Sequence, residues 1–186
     1  MKYDTEINIQ KVVDFVKQHS MDTRIYIGTD SEKHRDGRVW MADYISVVVV
    51  HIDGKHGCKI FGCVKREKVI DTDQGRPIHR MMAETYKSAE LYQKVYDALV
   101  KENDERALSI EIHLDINSLE EHASSLVVDQ AVGYIKGVCG IEPQIKPDAF
   151  SASYAADRWK EIAGLKPSDS IQRITEASKG KAKKAA

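Results

Sequence analysis

Residues 24–70 hold three β-rich runs in succession, separated by short Asp-Gly turns, and this order constrains the fold more than any other feature. The first run, residues 24–29 (RIYIGT), ends at Asp30-Ser31. Asp36-Gly37 is a tight-turn signal, because glycine supplies the positive φ that hairpin turns need. Residues 38–52 are long and β-branched, with Val47 to Val50 in their second half. Asp53-Gly54 turns the chain again, and residues 59–70 read as a third strand. Three strands joined by tight turns predict an antiparallel meander.

The period is helical on both sides of this block. Ile9, Val12, Val13 and Val16 predict a leading helix, with Asn8 as N-cap. Pro77 suits a helix first turn and opens a pattern running to about Lys101. Its inward stripe is Glu84, Ser88, Leu91, Val95 and Leu99. Residues 108–114 read as a fourth strand, with Leu108, Ile110, Ile112 and Leu114 on one face. A helix is expected over residues 120–138, a short strand at Gln144-Ile145 and a helix over 151–163. Strands that follow helices join a sheet in parallel by crossover. The expected fold is therefore α/β. It has a five-stranded mixed sheet, helices on both faces, the order βββαβαβα and an extra N-terminal helix. Residues 1–167 form the expected domain, with 1–22 as its N-terminal extension. Residues 168–186 are expected to hold a short helix and a disordered lysine-rich tail.

Charge is unevenly spread. The chain has 28 basic and 29 acidic residues, yet residues 179–186 hold four lysines and no acid. The remaining 24 bases against 29 acids leave −5 on the body. Three cysteines without CxxC spacing argue against a disulfide framework and a zinc ribbon. No apolar run approaches the roughly 18 residues a membrane span needs, and the N-terminus lacks a signal-peptide pattern. A soluble, cytoplasmic protein with no membrane partner is expected.

Several acids fall where chemistry is performed. Asp30 ends the first strand, and a buried strand acid is costly unless paired or metal-bound. Glu84 lies on the helix face shared with Leu91 and Val95, so its carboxylate points inward. Asp115 follows the fourth strand, with Asn117 two residues on. Asp157, on the last helix, and Asp148, in Lys146-Pro147-Asp148, compete for a fourth place. Each acid alone reads equally as a turn, cap or dipole residue. Together they converge, because α/β sites form at the carboxyl ends of parallel strands. Clustered carboxylates repel, and Mg²⁺ or Mn²⁺, which favour all-oxygen ligands, relieve that repulsion. Two such ions about 4 Å apart support phosphodiester hydrolysis. His34, His79 and Arg80 are candidate phosphate contacts, although each also reads as a solvated residue. Ser31 and Asn117, beside the strand aspartates, complete the candidate substrate contacts.

This element order resembles the ribonuclease H-like superfamily. The carrying motifs are Gly28-Thr29-Asp30-Ser31, Met82-Ala83-Glu84 and Leu114-Asp115-Ile116-Asn117, with a further acid at the last helix. Within it the chain looks most like the YkuK-like group, over about residues 5–163. The resemblance implies metal-dependent cleavage of DNA or RNA, with two ions held by Asp30, Glu84, Asp115 and Asp157 or Asp148. The alternative is a catalytically silent nucleic-acid-binding or adaptor module on the same fold. An actin-like ATPase fragment is disfavoured, because ATP there is sandwiched between two such domains. Oligomeric state is left open.

Overall fold

The computed structural model describes residues 5–69, 78–117, 127–149 and 151–163, apart from the side chains of 151 and 152. The expected short helix and lysine tail, Pro77 and residues 120–126 lie outside the described residues.

Five strands form one sheet: β1 (Arg24–Asp36), β2 (Val39–His51), β3 (Cys58–Lys68), β4 (Ile110–Asn117) and β5 (Gln144–Lys146). Their order is β3-β2-β1-β4-β5. The β1–β2 and β2–β3 pairs are antiparallel, and β1–β4 and β4–β5 are parallel. The meander and the crossover strands are thus as the residue pattern predicts. The first hairpin is tight: Asp36 pairs with Val39, and Gly37 takes φ +58° in the turn.

Helices cover both faces. α1 (Ile9–Lys17), α2 (Ile78–Lys101) and α3 (Val128–Cys139) pack on one face, and α4 (Ser151–Ile162) on the other. The Asn8 side chain caps α1 by accepting from the Lys11 amide at 3.0 Å. Val12, Val13 and Val16 bury its apolar stripe. The predicted α2 stripe is buried throughout, Glu84 included. The first core joins these helices to Ile25, Ile27, Val48, Val50, Ile110 and Ile112. The second is smaller and seats Ala155, Ala156 and Trp159 of α4 against Ile45, Val47 and Val49. A Cβ built on Gly62 of β3 would lie 2.5 Å from the Trp159 ring, so the absent side chain admits the indole.

Three expectations need correction. Asp30 lies inside β1, because β2 pairs with it as far as Asp36. Asp115 lies inside β4, which continues to Asn117. Leu108 is no strand residue: it sits in the 3₁₀ turn Glu105–Ser109 and is 79% exposed. The alternation Leu108, Ile110, Ile112 extends one step too far. Asp104 caps the turn and pulls Arg106 inward instead, where it donates to the carbonyls of Val16, His19 and Ser20.

Candidate active site

Parallel pairing between β1 and β4 runs from Ile25↔Ile110 to Thr29↔Leu114. Asp30 and Asp115 are the next residues on each strand, so register alone sets them side by side where that pairing ends. Pleating sends alternate side chains to opposite faces. Ile25 and Ile27 join the α2 core and Tyr26 packs with the α4 core. Ser31 accordingly faces α2, and Asp30 faces α4.

On the α2 face, the Ser31 hydroxyl donates to Glu84 Oε1. Arg80, one turn earlier on α2, donates to the Ser31 carbonyl at 3.0 Å and its hydroxyl at 2.6 Å. Its guanidinium lies 3.4 Å from Glu84. Burial, followed by the charge of Asp30, pushes the Glu84 pKa up to about 8, against the Ser31 bond and Arg80. Asp115 adds to the rise.

On the α4 face, burial pushes Asp30 up to about 6. The Lys160 ammonium opposes that rise, while Asp115 and Asp157 reinforce it. Asp30, Glu84 and Asp115 are therefore one electrostatic unit around the end of the β1–β4 pair, and Asp157 acts on its Asp30 side. Asp148 is exposed in the turn after β5.

Two lysines reach these acids, and the residue pattern did not single them out for the site. Lys146 of β5 ion-pairs with Asp115. Lys160 of α4 is buried and bonds Glu32 and Asp157, each at 2.9 Å. A lysine three residues after Asp157 on a helix was the available signal for Lys160.

The other candidates separate. Ser31 and Arg80 join the Glu84 network. His79 is exposed on the first turn of α2, and Asn117 is partly buried at the end of β4. His34 lies on β1 rather than in a loop, 3.8 Å from the Asp43 carboxylate. Asp43 also accepts two bonds from Arg66, at 2.6 and 2.9 Å. Beside Arg66 on β3, Lys65 lies 3.5 Å from Glu67.

The donor chemistry suits a hard divalent cation, since every acid offers oxygen, and two have pKa values raised first by burial and further by neighbouring acids. Among the described residues, no three His, Cys, Asp or Glu side chains stand close enough to hold an ion as they lie. With Lys146 on Asp115 and Lys160 on Asp157, a cation would have to compete with these ammonium groups.

A family model described as Ribonuclease H-like matches residues 8–161. The chain is also 31% identical over 146 residues to the uncharacterized protein YkuK of Bacillus subtilis (strain 168). That match covers 72% of this chain and 76% of the relative. No solved structure matches. Among the described residues no helix is long and apolar enough to cross a membrane.

Proposed function

This chain belongs to the ribonuclease H-like family, and on that premise we propose that it is a Mg²⁺- or Mn²⁺-dependent nuclease hydrolysing phosphodiester bonds. The observation that carries this reading is the register that sets Asp30 and Asp115 side by side where the β1–β4 pairing ends, with Glu84 bonded to Ser31 beside them. Asp30 and Asp115, with Glu84 at their flank, would hold the first ion. Asp157 is the fourth acid in preference to Asp148, because its charge acts on Asp30. Bound divalent ions supply an activated water and charge stabilisation for the leaving oxygen.

The chain's own residues supply placement and charge. Ser31 and Arg80 fix the Glu84 carboxylate from two directions, so it cannot swing away from the strand ends. Lys160 holds Asp157 in place, and Lys146 holds Asp115. Displaced from these acids, either ammonium becomes available to a phosphate oxygen. His34, His79 and Asn117 lie along the flanks and would contact substrate beyond the scissile bond.

The ion pairs of Lys146 and Lys160 also favour a second reading. A site whose acids are satisfied by lysines suits a silent nucleic-acid-binding or adaptor module. One experiment separates the two. Purified protein is incubated with single-stranded DNA, RNA and hybrid in Mg²⁺ or Mn²⁺, beside Asp30→Asn. Cleavage that the substitution abolishes is expected. Absence of cleavage with every substrate and both metals refutes the nuclease. Equal cleavage by the variant identifies a contaminant.

A further inference from the structure

We propose that the hairpin formed by the distal halves of β1 and β2 is a binding arm for single-stranded nucleic acid, with Trp40 as the base-stacking platform. This rests on the nucleic-acid reading above and adds a surface outside the acidic site. Pairing of β1 with β4 stops at Thr29, but pairing with β2 continues to Asp36↔Val39. The hairpin therefore projects past the parallel strands. Near its tip Trp40 and Val39 are 38% and 39% exposed. Arg35 pairs directly with Trp40 across the strands. Lys33 Nζ lies 4.7 Å and Arg35 Cζ 5.7 Å from the indole centroid.

The cations near this indole outnumber the acids of the hairpin, where Asp36 is exposed at the turn and Glu32 is held by Lys160. Lys33, Arg35 and Arg38 form no ion pair with any described residue, whereas Lys65, Arg66, Lys87, Lys146 and Lys160 are each matched to a carboxylate. An exposed Arg35 and a half-buried Lys33 at a tryptophan, on a chain whose body is net acidic, complement a phosphate backbone carrying bases. Cations then follow the backbone while the ring stacks a base, a combination that suits single strands. Lys33, Arg35 and Trp40 share the pleat face of Ser31, which is the face Glu84 approaches. Five strand steps from Asp30 to Arg35 span about 17 Å. At Arg35 that distance is beyond the roughly 10 Å Debye length at 0.1 M salt, so the charge of Asp30 is largely screened there.

The test is fluorescence anisotropy of a short labelled oligothymidylate, in EDTA at about 0.1 M salt, so that binding is read without cleavage. Trp40→Ala is expected to weaken binding about ten-fold, and Trp40→Phe to restore most of it. The double variant Lys33→Gln/Arg35→Gln is expected to lower the slope of log K against log salt by about 1.4, at about 0.7 per lost phosphate contact. Circular dichroism melts of each variant report folding, and the charge variant keeps the test open should Trp40→Ala misfold. Wild-type affinity in folded Trp40→Ala overturns the stacking platform. An unchanged salt slope in the double variant overturns the arm. A protein that cleaves through Asp30 while these variants bind normally loses only the arm. One that binds through the arm yet never cleaves loses only the nuclease.

Discussion

Glu84 is the residue at which sequence, fold and chemistry pull hardest against one another. It occupies a position whose helical neighbours at Ser88, Leu91, Val95 and Leu99 are all core residues. An acid there costs stability whenever it is ionised, and burial accordingly pushes its pKa up to about 8. The folded value exceeds the ordinary carboxyl value of 4.5, so the folded state binds the extra proton between these pH values. Stability is then fully present below about 4.5 and is lost as pH rises through about 8. Asp30 contributes in the same direction between 3.8 and about 6. Urea denaturation in EDTA should show the metal-free protein less stable at pH 8.5 than at pH 5, by on the order of a few kcal/mol. Glu84→Gln keeps an acceptor for Ser31 and Arg80 but cannot ionise. It should match wild type near pH 5, exceed it at pH 8.5 and abolish any cleavage, a trade of stability for function. Equal stability of both proteins at pH 8.5 would contradict the buried-acid account. The inward direction of Glu84 was legible because a helical period fixes the face of every residue on it. The bond of Lys160 to Glu32 was not, because the two lie 128 residues apart and only the packing of α4 on the sheet joins them.

Among the elements, α4 shows what a pattern can and cannot convey. Its limits follow from local signals, but its docking depends on one glycine in another strand. Gly62 lies opposite Val47 in the β2–β3 register, and the Trp159 ring fills the space above it. Backbone-anchored β3 and a rigid indole leave little room to yield, so Gly62→Ala should destabilise the fold by about 1–3 kcal/mol. Replacing Trp159 with Leu in that background should recover part of the loss, a coupling that a double-mutant cycle measures in denaturant. Additive effects would mean that the ring and the glycine do not meet. The same contact positions Asp157 and Lys160, so Gly62→Ala should also perturb the α4 side of the site. Strand ends were the least legible elements. β1 and β4 each run past the acid taken to end them, because pairing with a neighbour continues after the apolar alternation has lapsed. That extension sets the two aspartates in the sheet, where register holds them, rather than in loops.

For the whole molecule, the opposed charges at one end of the sheet determine how stability and ligand binding are linked. A body carrying −5 concentrates repulsion where Asp30, Glu84 and Asp115 meet, and Lys146 and Lys160 offset it. A divalent cation that binds only the folded state stabilises it by RT ln(1 + [L]/Kd), about 2.7 kcal/mol at a hundred-fold excess over Kd. Here the ion must also displace protons from Asp30 and Glu84, so its affinity should climb as pH rises toward 8. Mn²⁺ should therefore raise the melting temperature more at pH 8 than at pH 5.5. The apo protein should itself be less stable at the higher pH, and both effects would enlarge the shift. Asp115→Asn should remove most of the Mn²⁺ response. Lys160→Gln, which withdraws a competing ammonium, should preserve or strengthen it if the Asp157 side takes part. Differential scanning fluorimetry across a Mn²⁺ titration at the two pH values reads all four quantities. A shift that is independent of pH, or unchanged in Asp115→Asn, would place the ion elsewhere. In that event the repulsion among these acids is met by the two lysines alone, which is the state expected of a silent binding module.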